Sequence, residues 1–256
     1  MKQSHDAARR RPRFLRGYGR EAGTFRFSST CWPYFLLPGA TLALLSFLVL
    51  DGPVATSHDA MSDRFVAIAR HLTDITTAPW ILIATGLLFI VATVAMKRAE
   101  TTGAKRRAML VAWQALYVFA TLALASSTVN VVKRLIGRAR PELFDTVGDF
   151  HFRFGGWAYD YASFPSGHST AAGATFAALG LLFPAFRPLF ACLAIFFVFC
   201  RVAVGAHYPS DVSAGLFYGA WVAVVMACLF ARYRLLFEIP EKGLPVRRRR
   251  LRPTTT

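Results

Sequence analysis

Three short stretches place cations, histidines and a carboxylate where a strongly apolar chain should not carry them. The first is Lys133-Arg-Leu-Ile-Gly-Arg-Ala-Arg140-Pro141. Lys133 and Arg140 are seven positions apart, nearly two helical turns, so a helix continuing through the segment turns both to one side. The second is Phe164-Pro165-Ser166-Gly167-His168-Ser169. A Pro-Ser-Gly turn entering a helix offers unpaired backbone N–H groups and the positive end of the helix dipole, which suits an anion. Gly167 lets backbone approach that anion closely, and His168 stands at the mouth. The third is Arg201-Val-Ala-Val-Gly-Ala-His207-Tyr-Pro-Ser-Asp211. His207 and Asp211 lie four apart across a helix start. A carboxylate there can hold the imidazole in one tautomer and raise its basicity, as a nucleophile or base requires.

This set suits a phosphoryl group. Cations neutralise the equatorial oxygens, one histidine attacks, and the other protonates the leaving oxygen. No carboxylate cluster with metal-ligand character accompanies them, so the cations take the part that Mg²⁺ plays elsewhere, and neither metal nor other cofactor is expected. Each residue also has a plainer reading. Lys133 and Arg140 could snorkel to an interface, His168 could be a bystander in an N-cap turn, and Asp211 could cap a helix. Arg201 resists such a reading, because a cation inside an apolar run needs an anion or a polar cavity.

The elements that must hold these residues follow from composition. The chain has 256 residues, Lys+Arg 30 against Asp+Glu 14, a formal charge of +16 and 55% hydrophobic residues. So much apolar content excludes a soluble basic nucleic-acid binder and a disordered basic chain. The apolar residues fall in six runs: 33–50, 78–96, 108–132, 169–186, 189–206 (broken by Arg201) and 212–231. Each approaches the ~20 residues a helix needs to cross a ~30 Å hydrocarbon core, and none alternates as a membrane barrel strand does. The expected fold is all-α: a polytopic membrane protein with six transmembrane helices and both termini cytoplasmic.

The charge excess lies in three segments: net +6 over 1–32, +4 over 97–107 and +6 over 232–256. With an even number of spans all three fall on one side, and the positive-inside rule makes that side the cytoplasm. The expected organisation is a basic N-terminal segment 1–32, a transmembrane domain 33–231 and a basic tail 232–256. Run one reads as an uncleaved signal anchor. The basic ends read as topology signals touching anionic lipid heads, with no nucleic-acid partner. The three chemical segments then share the outer face.

Other features read more plainly. Cys192, Cys200 and Cys228 fall within helices and Cys31 at the cytoplasmic edge, without metal-ligand spacing. Residues 57–74 suit a short amphipathic helix on the outer surface, with His58 and His71 as solvated histidines. The aromatic loop 142–162 belongs at the interface and shapes the way into the site, and His151 and Arg153 in it read as surface residues.

The order Lys-x6-Arg-Pro, then Pro-Ser-Gly-His, then Arg-x5-His-x3-Asp resembles the signatures of the type 2 phosphatidic acid phosphatase superfamily. Here they are Lys133 to Arg140-Pro141, Pro165 to His168, and Arg201 to His207 and Asp211. The six-helix layout with an outward site is similar to its bacterial membrane members. The resemblance implies His207 as the nucleophile that forms a phosphohistidine, Asp211 as its orienting partner and His168 as the acid for the leaving alcohol. It implies Lys133, Arg140, Ser166, Gly167 and Arg201 as the phosphate-binding set. The family has Ser before the third-motif Arg, where this chain has Cys200, so a hydroxyl donor becomes a poor thiol donor. Soluble haloperoxidases share the anion-site motifs, but six spans argue against them here.

The expected function is metal-independent hydrolysis of a lipid phosphate monoester or pyrophosphate at the periplasmic face of a bacterial inner membrane. Undecaprenyl pyrophosphate, phosphatidylglycerophosphate, phosphatidic acid and the 1-phosphate of lipid A are the candidate substrates, and the bilayer and its lipid are the expected partners. The alternative is a non-catalytic anion-binding membrane protein or a transporter, which has no use for the acid His168.

Overall fold

Every apolar run becomes a helix in the computed structural model, which describes residues 33–57, 62–155, 157–240 and 243–248. The N-terminal segment 1–32, with Cys31, and His58 lie outside the described residues. The helices are α1 Pro33–Val49, α2 Asp51–Ser57, α3 Asp63–Thr73, α4 Ala78–Arg98, α5 Thr102–Ile136, the short α6 Phe144–Val147, α7 Gly167–Leu182, α8 Arg187–Ala203 and α9 Pro209–Arg232.

The six expected spans are met in part. Among the described residues, four stretches are long and apolar enough to cross a membrane: Asp63–Arg98, Thr102–Ile136, Pro184–Ala203 and Pro209–Arg232. A fifth results if α1 and α2, bent by 56° at their junction, count as one. α7 has only 16 residues, about 24 Å at the helical rise, short of a ~30 Å core. Ser166 caps it at one end and Pro184 follows the other. The amphipathic helix expected over 57–74 is α3, which packs on α8, with His71 exposed.

α5, α7 and α9 form the centre. Tyr117, Leu122, Ala125, Ala174, Ala178 and Ala223 are buried there, and the Tyr117 hydroxyl donates to the Ala223 carbonyl at 2.8 Å. Ile83, Leu87, Ile90 and Val91 of α4 instead point outward, each more than half exposed. A wall of that kind is costly in water and matches lipid tails.

α7 and α9 touch backbone to backbone. A Cβ on Gly219 would lie 2.1 Å from the Thr170 carbonyl oxygen, and one on Gly173 would lie 2.2 Å from that of Leu216. Only glycine admits such contact, the small-residue packing typical of membrane helices. After α9 the chain folds back: β1 Phe237–Glu238 pairs antiparallel with β2 Val246–Arg247, and Leu235, Leu236 and Phe237 join the core.

Candidate active site

α5 does not run on to Arg140, the case in which the seven-residue spacing would turn both cations to one side. Gly137 ends it in the left-handed conformation, φ 64°, with its N–H donating to the Lys133 carbonyl at 2.9 Å. That is the glycine stop common at helix C-termini. A side chain at Gly137 would collide with the Arg153 carbonyl oxygen at 1.9 Å. Beyond it, residues 138–140 run extended against the aromatic loop. The Ala139 N–H donates to His151 at 2.9 Å and that of Arg140 to Asp160 at 2.8 Å. Arg140 therefore reaches the site from a loop strap, and Lys133 from the last turn of α5.

The Ser166 hydroxyl caps α7, accepting from the Ser169 N–H at 3.4 Å and the Ser169 hydroxyl at 3.1 Å. Gly167 opens the helix, and a Cβ there would lie 3.7 Å from the Lys133 ammonium, so the free amide end of α7 faces a cation. The Ser166 N–H donates to the Asp211 carbonyl at 3.0 Å. The second and third motifs are thereby joined through backbone.

Arg140 is buried. It donates to the carbonyls of Tyr159 at 3.0 Å, Ala206 at 3.1 Å and Ala162 at 3.5 Å, with the Tyr159 ring 3.9 Å from its carbon centre. Arg201 is 8% exposed, its Nε has no hydrogen-bond partner, and it forms no ion pair among the described residues. A buried guanidinium with an open donor is an anion site in waiting. Lys133, Arg140, Arg201 and His207 all lie close enough to His168 to act on it electrostatically. All five phosphate-contact candidates and both histidines thus gather at one end of the α5, α7, α8 and α9 bundle.

His207 is 3% exposed, in the link between α8 and α9. Burial pushes its imidazole down to about 4; Asp211 acts the other way, and the Arg140 and Arg201 guanidiniums add to the fall. The ring is therefore neutral at pH 7 and able to act as a nucleophile. Its Nδ1 lies 3.6 Å from Asp211 Oδ2, longer than a hydrogen bond, and has no closer partner. Asp211 Oδ2 also accepts from the Ser163 hydroxyl at 2.5 Å and the Tyr208 N–H at 3.0 Å. The carboxylate both caps α9 and faces the histidine.

Two residues beside the site had no role in the sequence reading. Arg138 lies two positions before Arg140, and its guanidinium meets Asp211 Oδ1 at 2.7 Å and Asp51 Oδ2 at 2.8 Å. The available signals were two further basic residues, Arg134 and Arg138, between the motif's Lys133 and Arg140, and an aspartate closing apolar run one. Cys200 is buried with Ala69 and Ala203 in a small apolar cluster. His151 rests 5.9 Å from the Tyr161 ring, and exposed Arg153 stacks on the same ring at 5.7 Å.

A helical membrane bundle with a phosphate-shaped cluster of cations and histidines at one end defines a phosphatase class. The chain matches the PAP2 superfamily over residues 114–234, which includes all three motifs. It is 39% identical to the lipid A 1-phosphatase of Rhizobium johnstonii over 226 residues, 86% of this chain and 90% of that one. It is also 39% identical to the lipid A 1-phosphatase of Rhizobium etli over 219 residues, 85% and 93% of the two chains. The chain belongs to the PAP2 superfamily and is a membrane phosphatase by that membership. Its fold is similar to the crystal structure of a transmembrane PAP2-type phosphatidylglycerolphosphate phosphatase from Bacillus subtilis. The two agree with a TM-score of 0.52 at 17% identity, over 77% of this chain and 92% of that one.

Proposed function

We propose that the protein hydrolyses the phosphate of a membrane lipid at the outer face of the bacterial inner membrane, through a phosphohistidine on His207. Of the four candidate lipids, the 1-phosphate of lipid A is favoured by the names of the Rhizobium relatives. The observation that carries the mechanism is the neutral, buried His207 beside Asp211, in the field of Arg140 and Arg201.

Lys133, Arg140, Arg201 and the Gly167 N–H bind the phosphate oxygens, with the Ser166 hydroxyl at the edge of the cradle. Nε2 of His207 attacks phosphorus as the bond to the lipid oxygen breaks. Burial and the nearby Arg201, Lys133 and Arg140 charges disfavour a cationic ring at His168. The bound phosphate offsets those charges, so His168 enters the step protonated, gives that proton to the lipid oxygen, and the alcohol leaves. A water, deprotonated by His168, then attacks phosphorus, the P–N bond breaks, and inorganic phosphate departs. The outward orientation rests on the basic 97–107 loop and basic termini.

The test is a substrate panel. Purified protein in detergent is given each of the four lipids and released phosphate is measured. Lipid A is expected to lose one phosphate, and His207→Ala to release none. Full activity in His207→Ala would end the phosphohistidine mechanism. Release from another lipid alone would reassign the substrate.

A further inference from the structure

Arg138 is the largest fully buried side chain among the described residues, 1% exposed. Its donors are all occupied. Nε and Nη2 reach the Asp149 carbonyl at 3.2 and 3.0 Å, and Nη2 also meets Asp51 Oδ2 at 2.8 Å. Nη1 takes the Ser210 hydroxyl at 2.6 Å and Asp211 Oδ1 at 2.7 Å. Tyr208 covers one face, its ring 4.2 Å away, and Phe47 lies 5.1 Å away. A guanidinium carries five N–H groups, so none is left for a substrate phosphate. Arg138 therefore differs from Arg201, whose Nε is open.

Asp51 stands at the break between α1 and α2 and is fully buried. Its Oδ1 accepts from the Ser210 N–H at 2.9 Å, and its Oδ2 accepts from the Ser210 hydroxyl as well as from Arg138. The broken first helix is thus fastened to the start of α9, beside His207.

We infer that Asp51 and Arg138 are positioning residues that hold Asp211 ionised, aimed at Nδ1 of His207, and leave one net negative charge beside the imidazole. The inference rests on the phosphohistidine reading. Asp211 accepts from Arg138, Ser163 and Tyr208, so it faces His207 as an acceptor. The facing Nδ1 must then carry the ring proton, which frees the Nε2 lone pair for phosphorus. Two carboxylates and one guanidinium sum to a single negative charge. Bond formation at Nε2 makes the ring cationic, and that charge balances it. Arg138 paired with Asp211 alone would neutralise the carboxylate and leave the new cation without a counter-charge.

The test uses the full chain in detergent micelles, with lipid A, or whichever lipid of the panel it dephosphorylates, as substrate and orthovanadate as phosphate analogue. Asp51→Asn and Arg138→Gln are expected to lower kcat about 10- to 100-fold, the size seen when the outer partner that orients a metal-bound histidine is lost. KM and the vanadate inhibition constant are expected to shift less than about threefold, since neither residue touches phosphate. ¹⁵N NMR of labelled histidine, with His207 assigned by its substitution, is expected to show Nδ1–H in the parent and a tautomer mixture in Arg138→Gln.

Vanadate binding lost in step with kcat would overturn the inference, as would a kcat loss matched by loss of folded protein on thermal unfolding. An unchanged tautomer would also overturn it. If Arg138→Gln does not fold, Asp51→Asn carries the test, because Asn keeps the shape and one acceptor while removing the charge. A parent protein silent on every lipid phosphate, but with the tautomer shift present, would sink the phosphatase mechanism and uphold the positioning.

Discussion

The N–H of Ser166 donates to the carbonyl of Asp211 at 3.0 Å. Through this bond the turn bearing His168 is joined to the helix start beside His207. The two are held together by α7 and α9, whose backbones meet at Gly173, Gly215 and Gly219.

Gly219→Ala should therefore damage the site from a distance. The added Cβ would stand 2.1 Å from a carbonyl oxygen of α7, with no flexible side chain to yield. Stability should fall by about 1–3 kcal/mol or more, and activity with it. Thermal unfolding in detergent measures the first and phosphate release the second. A parent-like melting temperature would show that the helices can separate freely.

Arg201→Met should trade function for stability. Arg201 is buried with no ion-pair partner among the described residues, so no carboxylate pairs its charge directly when no anion is bound. The methionine variant should melt no lower than the parent, yet lose about 100-fold or more in kcat/KM, as for one donor of an oxyanion site. A variant that retains activity would remove Arg201 from the phosphate set.

His207 should make the fold acid-sensitive. Its ordinary value near 6.5 is pushed down to about 4 in the folded protein, mainly by burial. Above pH 6.5 the ring is neutral folded or unfolded. Between about 6.5 and 4 the unfolded chain takes up a proton that the folded site refuses, so stability falls as pH falls. A shift of this size corresponds to about 3 kcal/mol at most. Between pH 7 and pH 4.5 the parent should lose more stability than His207→Gln. Equal losses would place the acid sensitivity elsewhere.

Cys200→Ser restores the family residue and should change little. The Cys200 side chain lies in the cluster with Ala69 and Ala203. Turnover should stay within about threefold of the parent. A large gain in kcat would mean that position 200 can reach the phosphate.

The helices were legible because membrane helices declare themselves locally, in long uncharged runs, although α5 outran its run and α7 fell short of spanning. The gathering of Lys133, Ser166, His168, Arg201 and His207 was legible because each motif sits at a helix end, and three helix ends on one side must meet. The route of Arg140 was not. The seven-residue spacing allowed a helix through to Arg140, but Gly137 stops it, and its reason is contact with the Arg153 backbone, sixteen positions away. The bend between α1 and α2 and the return of Leu235–Phe237 to the core were equally hidden.

By itself, then, the sequence determined the helical membrane class, the motif residues and the phosphoryl chemistry they suit. Only the tertiary structure decided what surrounds them: that Arg138 is consumed by Asp51 and Asp211, while Arg201 keeps an open donor. In sequence Arg201 stood out by its apolar run, but nothing showed that Arg138 would be paired. They differ because a buried charge is governed by the partners packed against it, and Asp51 reaches Ser210 across 159 residues of chain, a distance no local pattern spans.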